Sequence, residues 1–96
     1  MKHLITALAI ALASPAYAEA ETKDPCAIWG DLAEMAMTAR QKGVSLSRAL
    51  RDVTDDLVRQ VIIDAYEKPR YSGAQFQRRE IQDYRSHWEL LCYQAE

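Results

Sequence analysis

The sequence predicts an all-α fold, a small orthogonal bundle of three to four helices with one disulfide. Apolar residues recur at helical spacing in several segments, and residues typical of helix starts and stops separate these segments. A Val61-Ile62-Ile63 run resembles a strand, but it lies in a segment of about a dozen residues without alternation. Cys26 and Cys92 fall near the two ends of the helical region. Their pairing is predicted to join the first and last helices.

The first helix is predicted over residues 25–42. Asp24 can cap it, Pro25 suits its first position because a helix leaves that N–H unpaired, and Gly43 provides a left-handed stop. One face of this helix gathers residues expected to be buried, namely Cys26, Trp29, Ala33, Ala36 and, one turn later, Ala39 or Arg40. Met35 and Met37 lie near that face, and we interpret them as core residues, with an adaptable binding surface as the alternative.

Two further helices are predicted in the middle of the chain. Ser45 is expected to cap a short helix that ends at about Asp52. Thr54 is expected to cap the next helix, with Val53 and Val58 packed around that cap as a hydrophobic staple. The apolar spacing that follows predicts one buried face for this third helix.

The last helix is predicted from about residue 73 to residue 93. Ser72 and Gln75 match a capping box, and Tyr71 and Phe76 occupy staple positions around it. A seam of alternating three- and four-residue steps is expected to face the other helices, and it consists of Ile81, Tyr84, Trp88, Leu91 and Ala95.

The N-terminal segment, residues 1–18, is typical of a secretory signal. Lys2 precedes an apolar run, Pro15 ends it, and Ala16 and Ala18 form an A-x-A site with cleavage expected after Ala18. The apolar run is about half the length of a transmembrane helix, so no transmembrane anchor is expected after cleavage. Residues 19–96 are then predicted to form a single mature domain in the periplasm or outside the cell.

Export places the two cysteines in an oxidising compartment, where thiols pair. Closing so long a loop stabilises a fold by about 4 kcal/mol at most in the chain-entropy model. A redox-active role is not expected, since neither a C-x-x-C motif nor a neighbouring base accompanies Cys26 or Cys92.

The residues give little support for catalysis or cofactor chemistry. One histidine, His87, remains after signal removal, and it lacks ligand-spaced partners for zinc. Its i, i+4 neighbour Asp83 is interpreted as a surface partner. We therefore predict no catalytic, metal-binding or cofactor-binding residues, and no enzyme. Nucleic acid is not an expected partner, because the chain has a formal net charge of −2 and is predicted to be exported.

One segment, residues 68–79, is basic although the chain as a whole is acidic. Pro69 is expected to end the third helix within it, and no acidic residue occurs there. The predicted partner-binding residues in this segment are Lys68, Arg70, Tyr71, Arg78 and Arg79, with Phe76 beside them. An anionic partner would suit them, such as an acidic protein surface, a phospholipid head group or a cell-wall polymer. The alternative is a solvated loop whose aromatic residues only staple the last helix.

Several short motifs resemble a type of small exported, disulfide-bonded helical protein of unassigned function found in bacterial and phage genomes. The motifs are Cys26; Ala39, Arg40, Gln41, Gly43, Val44 and Leu46; Ala65 and Tyr66, followed by Pro69 and Arg70; and Trp88 and Cys92. A fainter similarity, carried by Lys23, Asp24 and Cys26 and by the architecture, is to small phage periplasmic inhibitors of lysozyme. Neither resemblance implies a catalytic residue.

These observations predict a non-enzymatic interaction protein of the periplasm or the medium, acting as an inhibitor or accessory factor of an envelope component. Its partner is expected to be another envelope protein, and the sequence leaves its oligomeric state open. The alternative is an acid-stress or holdase chaperone that loosens when its acidic groups are protonated. A small enzyme is the third hypothesis.

Overall fold

The computed structural model describes residues 24–96 and contains four helices in that range. In chain order they are α1 (Pro25–Gln41), α2 (Leu46–Ala49), α3 (Asp56–Glu67) and α4 (Ala74–Ala95). No strand occurs among these residues, which confirms the predicted all-α class. The predicted signal segment, residues 1–18, lies outside the described residues.

A disulfide holds the N-terminal turn of α1 against the C-terminal part of α4. Cys26 and Cys92 are bonded, with their Cα atoms 5.5 Å apart, as predicted. Next to this bond the indole rings of Trp29 and Trp88 stack, with centroids 6.4 Å apart and planes inclined by 25°. The two helices are therefore antiparallel and joined covalently at the end where α1 begins and α4 finishes. We call this the disulfide end.

Polar contacts continue the α1–α4 pairing away from the disulfide. The Arg85 guanidinium donates to Asp31 Oδ1 at 2.8 Å and to Glu34 Oε1 at 3.1 Å. Gly30 of α1 is buried, and a Cβ atom there would lie 2.6 Å from Glu89 Oε2. The missing side chain of Gly30 thus makes room for Glu89 where the two helices approach each other.

The core forms where α3 packs against α1 and α4. Its fully or almost fully buried members are Ala33, Ala36, Met37, Val61, Ile62, Ala65 and Tyr84. Small residues dominate the α1 contribution, so α3 lies close to the α1 backbone. Met37 is 0% exposed, which confirms its place in the core, whereas the same interpretation of Met35 is wrong, since that side chain is 71% exposed. The hydroxyl of Tyr84 donates to the Val61 carbonyl inside this core.

The beginning of α2 was predicted correctly and its end was not. Ser45 is the N-cap, and its Oγ accepts a hydrogen bond from the Arg48 N–H at 3.3 Å. The helix ends at Ala49, before the predicted limit near Asp52. Asp52 has a left-handed backbone with φ of 62°, which Asp tolerates better than most residues and which a helix does not allow.

The cap of α3 differs from the prediction. Asp55, not Thr54, is the N-cap, and its Oδ1 accepts hydrogen bonds from the N–H groups of Leu57 and Val58 at 2.9 and 3.0 Å. A carboxylate also interacts favourably with the positive end of the helix dipole, which favours Asp55 over its neighbour. Val53 and Val58 consequently do not occupy staple positions, although both pack against the core.

The cap of α4 is also displaced by one residue. Gly73 is the N-cap, and no side chain accepts a hydrogen bond from the first turn, so the predicted capping box of Ser72 and Gln75 does not form. Ser72 lies one position too early to reach the helical N–H groups. The predicted contact between Tyr71 and Phe76 is present all the same, with ring centroids 6.3 Å apart.

The apolar seam of α4 is buried along only part of its length. Tyr84 is 3% exposed, and Ile81 and Trp88 pack against the core. Leu91 is 41% exposed, and Ala95 is exposed as well. The C-terminal part of the seam is therefore left uncovered, although α1 extends as far as this part of α4: Leu91 directly precedes Cys92, which is bonded to Cys26 in the first turn of α1.

Candidate functional site

The connection from α3 to α4 is fastened to α1 by a buried amide. We call this connection, together with the beginning of α4, the basic turn (residues 68–79). Gln41, at the end of α1, is 1% exposed. Its Nε2 donates to the Pro69 carbonyl at 2.8 Å, and its Oε1 accepts from the Tyr71 N–H at 2.8 Å. Both polar ends of one side chain thus hold the backbone of the turn. This role was missed at the sequence level, although Gln41 follows Met37 by one helical turn on the buried face.

Arg70 and Gly43 complete the attachment. The Arg70 Nε donates to the Gln41 carbonyl at 3.1 Å, so it satisfies a backbone oxygen at the C-terminus of α1. Gly43 has φ of +81°, as predicted for the left-handed stop, and a Cβ atom there would lie 2.8 Å from Arg70 Nη2. Glycine is therefore favoured at this position for two reasons. It adopts the left-handed backbone conformation without strain, and it leaves space for the Arg70 guanidinium.

A second arginine ties the end of α3 to the end of α1. The Arg40 Nε donates to the Lys68 carbonyl at 3.1 Å, and its guanidinium lies 5.6 Å from the centre of the Tyr66 ring. Burial raises the pKa of the Tyr66 phenol, which donates to the Val44 carbonyl at 2.7 Å. The start of the basic turn is consequently held by two side chains of α1, Arg40 and Gln41, and by its own Arg70.

The outer surface of the basic turn is aromatic and cationic. Tyr71 is 37% exposed and Phe76 is 55% exposed, and the Gln77 Nε2 donates to the Tyr71 carbonyl at 2.6 Å. Arg78 and Arg79 are both exposed within the first two turns of α4. The first turn contains no acidic side chain, so the positive end of the α4 dipole adds to these two charges.

The structure brings the five predicted partner-binding residues onto this one turn, with different roles. Arg70 is exposed but its Nε is committed to α1, and Lys68 is half-buried. Tyr71, Arg78 and Arg79 present their side chains to solvent. The free cationic surface therefore centres on the first turns of α4 more than on the loop that precedes them.

A second surface feature lies at the opposite end of α4 and was not foreseen. An open groove of about 340 Å³ lies beside the disulfide, and it is lined by Trp29, Leu57, Trp88, Leu91, Cys92, Ala95 and Glu96. Most of these side chains are apolar. The indole N–H of Trp88 is buried without a hydrogen-bond partner of good geometry among residues 24–96.

The remaining chemistry-bearing residues do not assemble a reactive centre in the described range. His87 is exposed, and its ring lies 5.9 Å from that of Trp88. Within residues 24–96, one group of possible metal ligands lies close together, Cys26, Cys92 and Glu96. Its two sulfur atoms are bonded to each other, so neither is available as a thiolate ligand.

No described helix combines the length and the apolar character needed to cross a membrane. Comparison of the chain with protein-family models, curated proteins and solved structures found no match. The resemblances drawn from the sequence motifs therefore stay predictions.

Proposed function

We propose that this chain is a non-enzymatic interaction protein of the periplasm or the extracellular medium, which binds an acidic surface of an envelope protein through its basic turn. In this role it acts as an inhibitor or accessory factor. The Cys26–Cys92 disulfide fits an oxidising compartment, and such a compartment agrees with the predicted signal segment.

The observation that carries the proposal is the combination of a fixed backbone and a free cationic surface. Gln41 holds the turn at Pro69 and Tyr71, while Arg78, Arg79 and the aromatic rings remain exposed. A preordered surface loses little conformational entropy on binding. Arginine and aromatic side chains are also the types enriched where binding energy concentrates in protein interfaces.

The test uses charge reversal at the two arginines that have no role in holding the turn. A tagged full chain is expressed in an exporting host, intact cells are cross-linked, and the captured envelope proteins are quantified. R78E/R79E is expected to lower capture at least tenfold, which corresponds to about 1.4 kcal/mol. Arg70 is left unchanged, because its loss would also remove one of the contacts that hold the turn on α1.

A matched control separates the site from net charge. R48E/R51E makes the same charge change at two exposed arginines in and beside α2, away from the basic turn. It is expected to retain capture. Equal capture by R78E/R79E and the unmodified chain would contradict the proposal, as would equal loss in both variants.

The second candidate function, an acid-responsive chaperone, is favoured by a contact at the disulfide end. The Asp24 carboxylate accepts hydrogen bonds from the Tyr93 hydroxyl and the Cys26 N–H, and both lower the pKa of Asp24. Protonation at low pH removes this link next to an apolar groove. Binding of a hydrophobic dye below the pKa of Asp24 supports this function, and absence of dye binding down to pH values near 2 contradicts it.

A further inference from the structure

The two ends of α4 have complementary surfaces. At the disulfide end, the groove contains two indole rings and the exposed side chains of Leu57 and Leu91, which are 44% and 41% exposed. Apolar area left open in this way tends to be covered by association. Two observations indicate which surface covers the groove: the charge of the groove's rim, and the residue types at the other end of α4.

The rim of the groove is acidic. Glu96 lines it directly, and the exposed Asp55 and Asp56 immediately precede Leu57. Among the described residues, none of those that line the groove is a lysine or an arginine. The occupant that fits is therefore apolar at its centre and cationic at its edges.

The basic turn has this composition. Tyr71 and Phe76 form an exposed aromatic pair, with Arg70 beside Tyr71 and Arg79 beside both rings. Arg78 is exposed next to Arg79, while Glu80 and Asp83 border the pair on its α4 side. We propose that the groove of one molecule binds the basic turn of a second copy of this chain, with the aromatic pair against the tryptophans and leucines and the arginines against the acidic rim.

The geometry requires that the two surfaces come from different molecules. Phe76 lies near the start of α4 and Leu91 near its end, so the helix itself separates them by about 22 Å at 1.5 Å per residue. Two copies with antiparallel α4 helices can make this contact twice and close into a two-fold dimer, whereas a single head-to-tail contact leaves a free groove and a free basic turn at the ends of the assembly. A second copy and an acidic envelope partner would compete for the same turn, but neither proposal depends on the other.

The test is sedimentation velocity on the protein expressed from the full chain under oxidising conditions, from micromolar to millimolar concentration. The average mass is expected to rise with concentration and to fall when salt is added, since the arginine contacts are screened. F76S and L91N, which alter one surface each, are expected to remain monomeric. An equimolar mixture of these two variants is expected to form a 1:1 complex that grows no further, because each supplies the surface that the other lacks.

Two matched controls address nonspecific apolar contact. Leu90 is 55% exposed and Met35 is 71% exposed, and neither lines the groove or the basic turn. L90N and M35S are expected to associate like the unmodified chain. R79E and L57N repeat the test at exposed positions, so a folding defect in one variant does not leave the result open.

A monomer at every concentration would overturn the proposal. Association that persists in both F76S and R79E would also overturn it, because the occupant would then not be the basic turn. A mixture of F76S and L91N that stays monomeric, or loss of association in the controls, would have the same effect. The capture experiment with R78E/R79E measures binding to an envelope protein, whereas sedimentation measures self-association. Failure of one proposal can therefore be distinguished from failure of the other.

Discussion

The side chain of Gln41 accepts a hydrogen bond from the backbone N–H of Tyr71, thirty residues further along the chain, at 2.8 Å. The same amide donates to the Pro69 carbonyl, also at 2.8 Å. A single buried side chain thus links the end of α1 to the turn that leads into α4. The position of the basic turn depends on this contact, and its consequences can be measured.

Replacement of Gln41 by leucine is expected to destabilise the fold by about 2 kcal/mol, because two backbone groups lose their partner. Urea unfolding measures the change. Q60L serves as the control, since Gln60 is an exposed residue of α3 and a surface change of this kind costs less than about 0.5 kcal/mol. Equal effects of the two substitutions would show that the Gln41 amide does not hold the turn.

Removal of the disulfide by C26A/C92A is expected to lower the free energy of unfolding by up to about 4 kcal/mol, because the unfolded chain gains freedom. The bond closes a sequence separation of 66 residues. Urea unfolding with and without a reducing agent gives the comparison. The reductant should destabilise the unmodified protein and leave the double variant unchanged; insensitivity of the unmodified protein would contradict the prediction.

The contact between Asp24 and Tyr93 is expected to make stability depend on pH at both extremes. Hydrogen bonds from Tyr93 and from the Cys26 N–H lower the pKa of Asp24 below 3.8. Its contribution is therefore present above the unfolded pKa and is lost as the pH falls through the folded one. The bond to Asp24 raises the pKa of Tyr93 above 10, so that contribution is lost as the pH rises through the raised value.

An NMR titration of the Asp24 carboxyl measures this coupling directly. Y93F is expected to raise the pKa of Asp24 toward its ordinary value, since the largest cause of the shift is removed. Y71F changes a tyrosine at the other end of the molecule and should leave the titration unaltered. An identical Asp24 titration in Y93F and the unmodified protein would mean that the contact does not form in solution.

Tyr84 is expected to resist ionisation. Burial raises its pKa well above 10, and its hydroxyl donates to the Val61 carbonyl. The pKa values of Tyr66 and Tyr93 are raised as well, but the shift of Tyr84 is the large one. Ultraviolet titration of the folded protein should therefore show Tyr84 as the last of these phenols to ionise, and Y84F should remove that late step. Y84F is also expected to cost about 1 kcal/mol of stability, the usual contribution of one hydrogen bond. Loss of the late step in Y71F instead would contradict the assignment.

Capping residues show how far local sequence rules extend. Ser45 and Gly43 were predicted correctly, since each has strong preferences and no competing neighbour of the same kind. Thr54 and Ser72 were wrong by one residue, because an adjacent Asp55 or Gly73 can take the same role. The choice between neighbours depends on the direction in which the preceding loop enters the helix, and that direction is set by packing, not by local preference.

By itself the amino-acid sequence determined the helical class, the approximate extent of α1, α3 and α4, and the pairing of Cys26 with Cys92. These follow from the apolar period, the glycine and proline stops and the presence of only two thiols. Tertiary structure alone decided that Gln41 binds the basic turn, that Arg70 is partly committed to α1, and that the end of the α4 seam stays uncovered. Each of these depends on which residues distant in the chain meet, and the apolar pattern along the sequence does not contain that information.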